Sequence, residues 1–288
     1  MTIDTVFNIV VVIFTVANLL AGGLECDLKE ALKSLRSPRL IGPTLFWGWV
    51  IGPVLALLII RVLPLSEGHA AGLILVSLAP IAPFLPIASS RARGDMTFCA
   101  AYILLATVVT VVLMPVMAPL LIQGLTLTAW ALAKPLILLV LIPLLIGIAI
   151  RAYKAPVAAR IFPWVKKSGN VFLLICLAMV MWLYGREMLD TVGSFATAAW
   201  VLFMAAMAVL PYVVGFGLKQ DQRSVMALGQ SSRNISAGFA AFFGITNPPA
   251  GMFVMVVLVV PLHVIIGLLA VPPIFARLAG KNPEGAAV

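Results

Sequence analysis

Charge is scarce in this chain. Only 10% of its 288 residues are Asp, Glu, Lys or Arg, while 63% are hydrophobic; a soluble domain carries about 25% charged residues. A soluble fold of this length has no interior large enough for that apolar excess, so the composition excludes a globular cytosolic enzyme and points to a polytopic membrane protein. Negative charge is the rarest kind. The ten carboxylates are Asp4, Glu25, Asp27, Glu30, Glu67, Asp95, Glu187, Asp190, Asp221 and Glu284, and each lies in a loop or near the end of an apolar run. None is available at mid-membrane for an ion relay or for acid–base chemistry. Cysteine adds little: Cys26, Cys99 and Cys176 stand far apart, with no metal-ligand spacing and no disulfide framework, so no metal or other cofactor is expected. A cleavable leader is not expected either, because Glu25 spoils a lipoprotein site at Cys26 and the first apolar run reads as an uncleaved helix.

What is present is a series of apolar runs. Nine are long enough to cross about 30 Å of hydrocarbon as helices. They lie near 5–24, 40–63, 70–93, 96–122, 128–152, 168–185, 194–217, 222–246 and 250–276, and the expected fold is an all-α membrane protein of nine transmembrane helices. Loop charge tests the count. Lys29, Lys33, Arg36, Arg39, Arg91, Arg93, Arg151, Lys154, Arg160, Lys166, Lys167, Lys219, Arg223, Arg277 and Lys281 follow odd-numbered spans, whereas Arg61, Lys134 and Arg186 follow even-numbered ones. Alternation at every loop places the N-terminus outside and the C-terminus in the cytosol of a cell membrane. The same clustering explains the net charge of +9 as topology, without nucleic-acid binding. Segment 25–39 reads as a short amphipathic helix on the cytosolic surface, and Arg93-Gly94-Asp95 as a tight turn.

Two spans are unusual. The third contains Pro80, Pro83 and Pro86, flanked by Ser77, Ser89 and Ser90. Three prolines at this spacing break a helix near mid-membrane, and the freed carbonyls must line a cavity or pack against protein. The eighth carries Gly229, then Gln230, Ser231, Ser232, Arg233 and Asn234, then Ser236 and Gly238. An arginine at the centre of a spanning helix costs ~2.5–3.5 kcal/mol on insertion scales. Arg233 lies ~16 Å from either end of its span at 1.5 Å per residue, too far to snorkel. Paired broken helices in two halves of a chain mark an inverted-repeat transporter with its site at the midplane.

A buried cation without a buried carboxylate favours an anionic partner. Arg233 has the fork geometry to clamp a carboxylate, or it stands as a fixed counter-charge that organises freed carbonyls at the break. Gln230, Ser231, Ser232 and Asn234 offer neutral hydrogen bonds, and Thr107 and Thr110 on the fourth span are placed to face the same crossing. His263, beside Pro261, is the one deep titratable group. It reads either as a neutral histidine bonded to a neighbouring helix or as a proton-coupling group.

Several motifs resemble the bile acid:sodium symporter family. They are Gly22-Gly23-Leu24 leading to Ser37-Pro38-Arg39, the proline-rich span closing on Ala92-Arg93-Gly94-Asp95, and Arg233-Asn234-Ile235-Ser236-Ala237-Gly238. The resemblance covers essentially the whole chain. It implies a panel domain of the spans near 5–24, 128–152 and 168–185, and a core domain of the spans near 40–122 and 194–276 with two crossing discontinuous helices. It also implies transport of small organic anions by alternating access. The departures are informative. Where sodium-dependent members place a glutamate, this chain has Gly229; their glutamine matches Arg233, and their asparagine is kept as Asn234. Their Ser-Asn ligand pair falls on Leu85-Pro86, and their hydroxyl ligands fall near Cys99 and Ile103. The resemblance thus implies a sodium-independent member in which Arg233 stands where relatives bind the ion.

Two other classes compete with a carrier. A membrane sensor with the same fold would bind ligand without moving it. An intramembrane hydrolase would need Ser231 or Ser232 paired with His263.

Overall fold

The computed structural model describes residues 3–34, 36–82, 84–122 and 128–281. Its elements are α1 (Ile3–Glu25), α2 (Leu28–Ser34), α3 (Pro38–Val62), α4 (Glu67–Ser77), α5 (Leu85–Arg91), α6 (Met96–Leu121), α7 (Ala129–Tyr153), α8 (Ala155–Asp190), α9 (Ala196–Val213), α10 (Gln220–Ser231), α11 (Ile235–Phe243) and α12 (Met252–Gly280). The described residues form no sheet; they carry one isolated antiparallel bridge, between Pro80 and Arg233. Among the described residues, seven helices are long and apolar enough to cross a membrane: α1, α3, α6, α7, α8, α9 and α12. The expected third and eighth spans are each split into two short helices, α4 with α5 and α10 with α11.

Helix boundaries follow local chemistry. The side chains of Ser66, Asp95, Thr128 and Asn234 accept from backbone N–H groups at the starts of α4, α6, α7 and α11. Arg93 takes a left-handed φ of 56°, and Gly94 N–H donates to the Ser89 carbonyl at 2.8 Å, so Arg93-Gly94-Asp95 is the tight turn the sequence foretold. The segment after α1 is indeed a short helix, α2, packed on α6.

Two features were not anticipated. The sixth span extends far beyond 168–185: α8 runs for 36 residues, roughly 54 Å at 1.5 Å per residue. The basic stretch Arg160–Lys167, read as a loop, is its first part, opened by Pro156 in the first turn, where a missing N–H costs nothing. The other feature is the π-helical stretches Phe46–Ile51, Ile137–Leu141 and His263–Ala270, inside α3, α7 and α12. Each is followed within two residues by proline: Pro53, Pro143 and Pro272. Proline withholds its donor and crowds the preceding turn, and widening that turn relieves both.

Helices α1, α7 and α8 pack into a three-helix sheaf. Its closest approach is where α1 crosses α7: a Cβ on Gly23 would stand 2.3 Å from the Leu144 carbonyl, and one on Gly147 2.4 Å from the Leu20 carbonyl. The remaining helices form a larger bundle around α10 and α12, tied by Trp200 Nε1–H donating 3.0 Å to the Met255 carbonyl across α9 and α12. Gly229 lets α10 lie against Tyr102 of α6, whose ring would be 2.3 Å from a Cβ there. Gly147→Ala should therefore lower unfolding free energy by ~1–3 kcal/mol through overpacking. Gly22→Ala, with no atom within 4 Å of the new methyl, should change it by less than ~0.5 kcal/mol. Thermal unfolding of both in detergent, followed by tryptophan fluorescence, checks the pair.

Candidate functional site

The two breaks meet. Pro80 ends α4's hydrogen-bond ladder, and the chain runs extended past α10 before α5 begins. Ile81 N–H donates to the carbonyls of Gly229 (3.1 Å) and Ser232 (3.2 Å), and Asn234 N–H donates to the Ala79 carbonyl (2.8 Å). Ala82 N–H donates to Ser232 Oγ at 3.0 Å. Each broken segment thus satisfies backbone groups that the other leaves open, which removes the cost of unpaired groups in an apolar interior. The contact forces Ile81 to φ 76°, a region a β-branched residue enters only under constraint.

Arg233 sits at this crossing with no exposed surface. Its Nη1 donates to the Ser77 carbonyl at 3.1 Å and its Nη2 to the Gln230 carbonyl at 2.6 Å, and the guanidinium lies 4.6 Å from the ring centre of Phe203 on α9. Ser77 is the last residue of α4, and Gln230 is in the last turn of α10. Both carbonyls belong to helix C-termini, each carrying roughly half a negative charge. The cation therefore faces two converging negative helix ends and an aromatic face. Desolvation of a buried ion costs several kcal/mol; hydrogen bonds to a charged group return ~1.5–3 kcal/mol each. The guanidinium is directed at the helix ends, and Arg233 is not among the residues lining the cavity described below.

His263 accepts the Arg233 backbone N–H on Nε2 at 2.8 Å and meets Phe84 edge-on, with ring centres 5.6 Å apart. A protonated imidazole has no lone pair to accept with, so this bond needs the neutral ring. The hydroxyls of Ser231 and Ser232 donate to the carbonyls of Leu228 and Gly229, both at 3.1 Å. Gln230 reaches toward the Thr44 carbonyl, 3.4 Å from its Nε2. The hydrogen bonds found for Ser231, Ser232 and His263 do not join either serine to the histidine.

A cavity of about 390 Å³ lies between the sheaf and the bundle. Its inner end touches Ile81, Ala82, Phe84 and Pro86 on one broken segment and Asn234 and Ile235 on the other. Its outer end reaches Glu25, Asp27 and Lys166, where Lys166 Nζ and Glu25 Oε2 are 3.7 Å apart. The walls are largely apolar, with polar exceptions at Asn18, Asn170, Thr97 and Thr107.

The sequence-derived residues therefore divide. Asn234, Pro86 and Thr107 line the cavity. Arg233, Gln230, Ser231 and Ser232 are buried at the crossing and are not among its lining residues. Ser89 and Ser90 do not flank the crossing: they are in the last turn of α5, Ser89 buried and Ser90 exposed, because only seven residues of helix follow the break. Thr110 is buried on α6 and does not line the cavity. Pro83 lies outside the described residues. Asn18, Asn170 and Lys166 were missed, although a lone asparagine in an apolar span is itself a signal. His263→Phe keeps the ring contact with Phe84 but leaves the Arg233 N–H without an acceptor. It should cost ~1–3 kcal/mol of stability, measured by thermal unfolding in detergent.

Comparison with known proteins places this geometry in context. The chain is 22% identical over 207 residues to a probable sodium/metabolite cotransporter, BASS3, of the chloroplast of Arabidopsis thaliana; the alignment covers 71% of this chain and 48% of that protein. The chain thus spans about half the length of that curated relative. The profile of the sodium bile acid symporter family matches residues 11–191. With that match over more than half its length, the chain belongs to the sodium bile acid symporter family.

Proposed function

We propose that this membrane transporter carries small organic anions by alternating access and does so without sodium. The observation that carries the reading is the cavity between sheaf and bundle, which ends at the crossing of the two broken segments. On this reading α1, α7 and α8 are the panel and the remaining spans the core. The two broken pairs each make one passage, giving nine, related by an inverted repeat, with the N-terminus outside a cell membrane and the C-terminus in the cytosol. The cavity then opens to the cytosol.

The anion preference rests on helix polarity. At the crossing, α4 and α10 end on Arg233, while α5 and α11 begin beside the cavity. A ligand there meets the start of α11, where backbone N–H groups and the positive dipole end favour negative charge. At the cavity mouth Lys166 is paired with Glu25 and adds no free positive charge. The largely apolar walls fit a ligand with an apolar body and a charged group.

Sodium independence rests on Arg233. Its guanidinium already occupies carbonyls that the breaks release, and a second cation beside it would be repelled. A proton-coupling role for His263 finds no support in its use as an acceptor. The hydrolase alternative lacks a Ser–His contact, and a sensor with the same fold is separated from a carrier by flux.

A thermal-shift screen of organic anions, bile acids and keto acids among them, should give hits of equal size in sodium chloride and in choline chloride. Ala100→Phe, which fills the cavity, should abolish them. Reconstituted protein should take up a radiolabelled hit into liposomes, to equilibrium, at the same rate with either salt. Uptake that requires sodium overturns sodium independence, and binding without uptake favours the sensor.

A further inference from the structure

At one end the cavity reaches Glu25, Asp27 and Lys166, which are exposed or partly exposed. On α1, the lining residues run from Phe14 to Glu25; two turns beyond, at the opposite end, stands Phe7, buried. Three further rings meet it, and a fourth, Phe242, meets one of those three. Tyr184 comes from the far end of α8, Phe239 and Phe242 from α11, and Phe253 from the start of α12. Ring centres are 6.3 Å apart for Phe7–Tyr184, 6.3 Å for Phe7–Phe239 and 5.8 Å for Phe7–Phe253. They are 4.9 Å apart for Tyr184–Phe253, 5.9 Å for Phe239–Phe253 and 4.8 Å for Phe242–Phe253.

Two of these rings belong to the sheaf and three to the bundle. The cluster therefore spans the same boundary as the cavity, from its other end. The protein between them is thin: Phe7 and Phe14 are seven residues apart on α1, and so are Phe253 and Val260 on α12, or about 10 Å of helix. A ring cluster suits a reversible seal. Its contacts are numerous and individually small, and edge-to-face pairs tolerate sliding.

We propose that Phe7, Tyr184, Phe239, Phe242 and Phe253 form the gate that closes the transport path at the end opposite the cavity, and that parting Phe7 and Tyr184 from the other three opens that end. This rests on the alternating-access reading above. The gate holds the cavity-open state through ring contacts that the alternate state lacks, so removing rings shifts the equilibrium toward the alternate state.

The test is distance measurement by pulsed electron spin resonance on full-length protein in which Cys26, Cys99 and Cys176, all buried, are replaced by alanine. One spin-label pair, Leu189→Cys with Thr246→Cys, brackets the gate on exposed positions of α8 and the α11–α12 turn. A second, Met96→Cys with Lys167→Cys, brackets the cavity mouth on exposed positions of α6 and α8. Phe253→Ala should raise the longer-distance population of the gate pair by about fivefold or more, the change expected for loss of its two ring pairs across the boundary, with Phe7 and Tyr184. The mouth pair should shorten in step. Tyr184→Leu, at a partly exposed ring, should act in the same direction and serves if Phe253→Ala does not fold. Two populations in the parent that neither variant shifts would overturn the gate and leave alternating access standing. A single distance in the parent and in both variants would overturn the two together.

Discussion

A guanidinium held between two helix C-termini is the constraint from which the rest of the structure follows. Arg233 satisfies the ends of α4 and α10 at once, and only because both helices stop at that point. Their stopping frees the backbone of residues 79–82 and 232–234 to pair across the crossing. That pairing in turn starts α5 and α11 on the far side, next to the cavity. Without the cation, two negative helix ends would face one another in an apolar interior. Without the breaks, the cation would have no carbonyl to meet.

The surrounding helices are arranged to keep this point dry and fixed. Phe203 covers one face of the guanidinium, His263 ties the Arg233 backbone to α12, and Gly229 brings α10 against Tyr102. The α1, α7, α8 sheaf has its own close contact through Gly23 and Gly147 and shares the cavity with the bundle. The boundary between them holds the cavity, the ring cluster and one close approach, Gly244 at the end of α11 against the Ala131 carbonyl of α7.

Much of this was legible in the sequence, for definite reasons. Proline and glycine act locally, so the breaks at Pro80–Pro86 and at Gly229–Asn234 could be read from a few residues. Long apolar runs and alternating loop charge are equally local signals. The direction of a side chain is not. Whether Arg233 faces the cavity or the helix ends depends on how α4 and α10 meet, and these are some 150 residues apart. The cavity lining was hidden for the same reason. Spans that are apolar nearly all round carry no clear face, so Asn18 and Asn170 could not be aimed, and Ser89 and Ser90 were placed by proximity in sequence. The length of α8 was obscured because a basic stretch was read as a loop, when lysine and arginine are also good helix formers.

An ion that is part of the chain cannot dissociate, and this bears on energy supply. A carrier driven by a gradient must bind its driving ion on one side and release it on the other in every cycle. Arg233 stays at the crossing throughout, so on the proposed reading no such exchange performs work there. The carrier would then equilibrate its substrate without pumping it, subject only to the membrane potential. For a monovalent anion that potential is worth ~2.3 kcal/mol per 100 mV, about a fiftyfold concentration ratio. With the usual negative interior, the bias runs outward, and the chain would serve more readily as a route of exit than of uptake.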